Sequence, residues 1–339
     1  MLGIRADANG IIASGHVMRC VAIAEQIEKR GEAVMFITAD HFPDELLNQK
    51  GFKHVCLESD WQNKNVELDA LDTVIKDYGI TTLLIDSYQV TKEYLEALHR
   101  RVRVAYIDDL YMFEYPVDII INYAIDADSF AYKKYTDRQP QLLIGPEYTP
   151  LRKEFQNIKA CVNPEVKNVI ITTGGSDNYH IILKLVEKIT KLKEWNNISF
   201  HIIVGRFFHY EDTATLEYQC SSNNNIKLHK NVKNMAEIMV SCDLAVSAGG
   251  TTLAEICACG LPCVCFAIAD NQIDGVTSYG KLGIMACAGD IRQNIDNGID
   301  TIFTQITLLI NNYNIRKQYS SKGSDLIDGS GAGRIAELL

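Results

Sequence analysis

Four short stretches of this chain carry residues whose types and order could do chemistry, and each directly follows an apolar run. "GIIASGH" ends in His16, the first histidine, standing after Gly15 at the start of a helical pattern. The amino end of a helix opposes positive charge, so an imidazole there is held neutral and suited to accept a proton. The plainer reading is a helix-terminal histidine bonded to backbone. Arg19, one turn on, shares that helix face or braces a neighbouring loop. "LLIDSYQV" closes an apolar run with Asp86, and Tyr88 follows two residues later.

The other two stretches read as anion cradles. In "ITTGGSDN" a β-branched run meets Gly174, Gly175, Ser176 and Asp177 before a helix. In "LAVSAGGTTLAEI" a strand runs through Gly249 and Gly250 to Thr251 and Thr252, which open a helix carrying Glu255. Glycine lets a backbone approach a ligand closely, and free N–H groups at a helix start favour phosphate. Glu255, a turn in, could accept hydrogen bonds from a ribose diol. The alternative is ordinary capping by Thr251 or Thr252, completed by Glu255.

Strand-like and helical patterns alternate along the chain and must position these loops. Strands are expected at Leu2–Arg5, Ala33–Thr38, Leu83–Asp86, Val102–Ile107, Ile119–Asn122 and Leu142–Ile144, then at Val169–Thr173, Phe200–Val204, Ile226–His229, Leu244–Ser247 and Cys263–Phe266. From His16, the residues Val17, Val21, Ala24 and Ile27 recur at helical spacing until Gly31. Further helices are expected at Val66–Tyr78, Lys92–Arg101, Ile181–Lys191, Met235–Ser241, Thr252–Cys259 and Ile273–Leu282. Such alternation implies parallel sheets with right-handed crossovers. The segment from 145 to 168 holds three prolines and separates the two alternating blocks. The expected organisation is an α/β chain of two Rossmann-like, doubly wound domains facing a central cleft. The first spans 1–150 and the second 151–320; from 321 to 339 a glycine-rich loop and short helix fold back on the first. Ligands of such sheets bind at the carboxyl ends of the strands.

Bulk properties exclude several classes. A chain of 339 residues with 47% hydrophobic content can bury two cores. A net charge of −10 without a lysine-rich run argues against nucleic acid as a partner. The opening residues show no secretory pattern, and the longest apolar stretch is too short to span a bilayer, so a cytoplasmic protein without membrane insertion is expected. Ten cysteines fit a reducing compartment. Cys257, Cys259, Cys263 and Cys265 lack the spacing of zinc ligands and read as core residues. No oligomeric state is implied.

Taken together, "GHVMRC", "LLIDSY", "YIDD", "GPEYTPLRKEF", "TTGGSD", "SAGGTTLAE", "DNQ" and "DGSGAGRI" occur in an order that resembles the PseG family and the related SpsG-type polysaccharide proteins. That family hydrolyses UDP-2,4-diacetamido-2,4,6-trideoxy-β-L-altropyranose in pseudaminic acid biosynthesis. The resemblance implies the GT-B architecture and kinship with the glycosyltransferase MurG. By matching motif it places the catalytic base on His16 and a second catalytic residue on Tyr88. It places substrate contacts on Gly15, Arg19, Asp109, Gly174, Gly175, Ser176, Asp177, Gly250, Thr251, Thr252, Glu255, Asn271 and Gln272. Two departures fall on the sugar side: Ala13 stands where a glycine is expected, and Ser87 where a close relative has histidine.

The implied reaction is hydrolysis of a UDP-linked sugar at the anomeric carbon with inversion, needing no cofactor or metal. An inverting glycosyltransferase of the same fold is the rival reading, because fold alone does not separate them. A non-catalytic nucleotide-sugar binder is the third, and a placed base argues against it.

Overall fold

A computed structural model describes residues 1–12, 14–127, 132 and 139–339. Ala13 therefore lies outside the described residues. The chain forms two compact units, Met1–Lys153 with Ser330–Leu339, and Glu154–Gly329.

The first unit alternates β1 (Leu2–Ala6), α1 (Gly15–Lys29), β2 (Val34–Thr38), α2 (Asp44–Lys50), β3 (Lys53–Cys56), α3 (Leu68–Tyr78), β4 (Thr82–Asp86), α4 (Lys92–His99), β5 (Arg103–Ile107), β6 (Ile119–Asn122) and β7 (Gln141–Ile144). Its sheet runs β3-β2-β1-β4-β5-β6-β7, every pairing parallel. Strands covered on both faces read as continuous apolar runs. Leu84 of β4 faces the core that α1 joins, while its neighbours Leu83 and Ile85 face the core that α3 and α4 join.

The second unit contains β8 (Asn168–Thr172), α5 (Ile181–Ile189), β9 (Ser199–Val204), α6 (Tyr210–Ser221), β10 (Ile226–Lys230), α7 (Met235–Val240), β11 (Leu244–Ala248), α8 (Thr252–Ala258), β12 (Cys263–Ala267), α9 (Ile273–Lys281), β13 (Ala286–Asp290), α10 (Ile295–Asn311) and α11 (Tyr313–Leu326). Its sheet, also parallel throughout, runs β10-β9-β8-β11-β12-β13. Cys263 and Cys265 lie on β12, Cys257 lies in the last turn of α8, and all three are buried together with Cys259. Burial pushes the Cys259 thiol up to about 12.

Every strand expected from the sequence is present within one residue at either end. The tail differs. The stretch "SKGSDL" belongs to α11 rather than to a loop, so the expected boundary at 320 falls inside a helix of the second unit. A short helix, α12 (Gly331–Leu338), follows and packs in the first unit. Its Ala332, Ile335 and Ala336 join the same core as Val17, Val21 and Ala24 of α1. Gly331 permits that seat, because a Cβ there would lie 2.3 Å from the Thr149 carbonyl oxygen. Among the described residues, no helix is long and apolar enough to cross a membrane.

Beneath the carboxyl end of β1 lies a buried charge network that no sequence pattern announces. Arg5 donates from Nε and Nη2 to the two oxygens of Glu67, each at 2.7 Å, and from Nη1 to Asp7 at 2.6 Å. Lys64 donates to the second oxygen of Asp7, and Tyr94 to Glu67. Asp7 also accepts the Ala39 amide at 2.7 Å, tying β1 to the end of β2. Burial opposes ionisation of both carboxyls, but Arg5 and Lys64 outweigh it and hold them below the usual range. Removing one member of such a set strands a buried charge, at about 3–5 kcal/mol. Lys64→Met is expected to lower the unfolding free energy by that amount in urea titration. Lys50→Met, which breaks only the exposed pair with Glu25, is expected to change it by under about 1 kcal/mol.

Candidate active site

In each unit the strand order reverses at one place, between β1 and β4 and between β8 and β11. The four loops singled out in the sequence are those that leave these four strands. At such a switch point the adjoining connections run to opposite faces of the sheet and leave a crevice.

In the first unit, Asn9 Oδ1 accepts the amides of Ile11 and Ile12 at 2.9 and 3.1 Å, turning the chain after β1 toward α1. His16 is the second residue of α1, and Arg19 follows at the i,i+3 position of the same face. Asp86 closes β4, 1% exposed. Its Oδ1 lies 2.6 Å from His16 Nδ1. The Arg19 guanidinium forks onto the same carboxylate, Nε to Oδ2 and Nη2 to Oδ1, both at 2.5 Å. Its Nη1 reaches Tyr123 Oη at 2.5 Å and Asp109 at 2.8 Å. Tyr88 donates from its hydroxyl to Asp109 Oδ2 at 2.7 Å. Its ring meets His16 edge-on, centroids 4.7 Å apart at 83°. Burial works against the Asp86 charge, yet Arg19 and His16 outweigh it and bring the carboxyl down to about 2. Burial, then Asp109, pushes the Tyr88 phenol up, so that it stays a donor.

A carboxylate on Nδ1 assigns the proton of a neutral ring to that nitrogen and leaves the Nε2 lone pair free. The arrangement can accept a proton at Nε2 and stabilise the imidazolium that results. Asp86 thus has a larger part than the sequence suggested, where it marked only the end of a strand. Arg19 was expected to touch substrate; its guanidinium is instead engaged with Asp86, Asp109 and Tyr123.

In the second unit, Thr173, Gly174, Gly175, Ser176, Asn178, Tyr179, Gly250, Thr251, Thr252, Ile268, Ala269 and Gln272 line a cavity of about 310 Å³. Both glycine loops therefore meet in one place. Gly205 keeps the end of β9 against the first of them, since a Cβ there would lie 2.3 Å from the Gly174 carbonyl oxygen. Gln272 Oε1 accepts the Ile268 amide at 2.9 Å and shapes the far wall. No charged side chain is among these lining residues.

Three expected contacts are placed elsewhere. Asp177 is 4% exposed and accepts the amides of Ile181 and Ile182 at 2.9 and 2.8 Å. It caps α5, whose first amides need an acceptor, and is not among the residues lining the cavity. Glu255 and Asn271 lie off the cavity wall. The capping alternative for the second loop is not met by Thr251, which makes no side-chain cap bond. Gly250 N–H is taken by the Ala248 carbonyl at 2.9 Å. Thr173 and Tyr179 were missed: a threonine at a strand end and an exposed tyrosine carry no spacing signal.

Comparison with known proteins agrees with this description. Residues 169–274 match the model of the glycosyltransferase family 28 C-terminal domain. The spore coat polysaccharide biosynthesis protein SpsG of Bacillus subtilis is a homologue, 21% identical over 100% of this chain and 97% of its own length. The Helicobacter pylori pseudaminic acid cytidylyltransferase and UDP-2,4-diacetamido-2,4,6-trideoxy-beta-L-altropyranose hydrolase is another, 25% identical over 80% of this chain and 45% of its own length. The chain thus spans about half of that relative. The crystal structure of MurG from Acinetobacter baumannii superposes with a TM-score of 0.71 at 12% identity, covering 99% of this chain and 98% of that one. The fold is that of the GT-B glycosyltransferases, two Rossmann-like parallel-sheet units.

The lowered Asp86 pKa has a consequence for stability. Because the folded value lies below the ordinary 3.8, the carboxylate contributes stability that is complete above that pH and lost as pH falls to about 2. Asp86→Asn is expected to flatten the acid limb of a melting-temperature profile over that interval. An unchanged slope would mean that Asp86 is not held ionised by Arg19 and His16.

Proposed function

We propose that the chain hydrolyses a UDP-linked 2,4-diacetamido-2,4,6-trideoxy sugar, releasing UDP and the free sugar in pseudaminic acid-type nonulosonate biosynthesis. The observation that carries the base is the His16–Asp86 contact at 2.6 Å, which leaves Nε2 free; the choice of water rests on the named hydrolase relative. In this scheme His16 takes a proton from water while the water oxygen bonds to the anomeric carbon. The bond from that carbon to the diphosphate oxygen breaks, and UDP departs with the electron pair. Attack opposite the leaving group inverts the anomeric centre. The uncharged cavity of the second unit receives the nucleotide diphosphate, with Ser176, Thr251 and Thr252 as donors. Tyr88, fixed by Asp109, orients water or a sugar substituent. The hydrolase named among the relatives supports this choice of reaction.

An inverting transfer of the sugar from UDP is the second reading, favoured by the family 28 match over residues 169–274. There His16 would deprotonate an acceptor hydroxyl instead of water.

Incubation with the UDP-sugar alone in oxygen-18 water separates the two. Hydrolysis is expected to consume the substrate, place label in the sugar and not in UDP, and yield the inverted anomer first. Intact substrate would support transfer, and label in the nucleotide would refute attack at carbon. His16→Ala is expected to lower turnover by about a hundred- to ten-thousandfold, with UDP affinity within about twofold in calorimetry. Retention of more than a tenth of the turnover would remove His16 from the base role.

A further inference from the structure

The two threonines at the end of β8 are treated differently by the fold. Thr172 Oγ1 accepts the Gly174 amide at 3.0 Å and holds the turn into the glycine loop. Thr173, next in the chain, is 7% exposed, and its Oγ1 has no hydrogen-bond partner. A buried hydroxyl without a partner is a standing penalty on the folded state, and native proteins leave few of them. Such an atom calls for a reason beyond packing.

Its position supplies one. Thr173 belongs to the wall of the 310 Å³ cavity, between the core of the sheet and Gly174, and Thr251 and Thr252 line the same space. With no charged side chain on that wall, an anionic ligand must be met by neutral donors alone. A rotation of about 120° about the Cα–Cβ bond carries Oγ1 to another staggered position without backbone movement, and this is the motion that would turn the hydroxyl to a ligand in the cavity.

We propose that Thr173 is a ligand-binding residue of this cavity, its hydroxyl donating to an oxygen of a bound phosphate ester. The inference rests on the reading of the cavity as a nucleotide diphosphate site. It carries a paired consequence that a packing role does not. Thr173→Val keeps the side-chain shape and removes the unpaired donor, so the ligand-free protein should melt at the same temperature or higher. The same change removes a hydrogen bond to a charged oxygen, so affinity for UDP should fall about ten- to a hundredfold. Thr173→Ser retains the hydroxyl and should stay within about threefold of wild type.

The test is calorimetric titration of the wild-type chain and both variants with UDP and with uridine, beside thermal melts without ligand. The expected result is a loss of UDP affinity in the valine variant alone, uridine affinity unchanged, and no loss of stability. Equal UDP affinity in the valine variant would overturn the role of Thr173 while leaving the nucleotide site intact. Parallel losses for UDP and uridine, or a destabilised ligand-free variant, would overturn it as a phosphate contact. Failure of the wild-type chain to bind UDP would overturn the nucleotide reading itself, and the role of Thr173 with it.

Discussion

The Asp86 carboxylate is the point on which the first unit's chemistry depends. It sits at the end of β4, next to β1 in the sheet, and is all but removed from water. A lone carboxylate there would be neutral, since desolvation disfavours the charge. It stays ionised because Arg19 forks onto both of its oxygens while His16 takes one of them. The same guanidinium extends to Asp109, which in turn fixes Tyr88. One buried charge thereby sets the ring orientation of His16 and, through Arg19, the hydroxyl of a second residue. The network has a rigidity that a solvated histidine at a helix end would lack.

The two units use one topology for opposite electrostatic ends. Around β1 and β4 the switch point gathers carboxylates, a guanidinium, an imidazole and phenols. Around β8 and β11 it gathers glycines, hydroxyls and two carboxamides, with no charged side chain on the cavity wall. Charged groups shift one another's pKa and hold protons at chosen atoms, which suits the first unit to proton transfer. Backbone and hydroxyl donors bind an anion without changing protonation state, which suits the second to holding a ligand. A free Nε2 can take a proton from water or from an acceptor hydroxyl, so this arrangement is compatible with hydrolysis and with transfer alike.

Much of the architecture was legible because buried parallel strands are written as unbroken apolar runs. "TLLID", "IIIN" and "CVCFA" could hardly be anything else. The strands not expected from the sequence, β3 and β13, are both sheet edges. Their residues are largely half-buried and mixed in character, so no period-two or apolar signal survives. Helix α6 is similarly silent, since Leu216 is its one buried residue and no apolar stripe forms.

Sequence by itself determined which residue types follow the strands, because a residue placed after an apolar run is a local fact. His16, Tyr88 and the two glycine loops all stand at strand ends for that reason. What only tertiary structure decided is what each side chain faces. The Arg19–Asp86 contact joins residues 67 apart, and its existence depends on β1 lying beside β4. Asp177 stands in a loop that reads as a cradle, yet its carboxylate turns inward to the unpaired amides of α5. Thr172 and Thr173 are the same residue side by side, and only the three-dimensional surroundings give one a partner and leave the other without. Hydrogen-bond partners are set by distance in space, and chain order does not encode that distance until the sheets have formed.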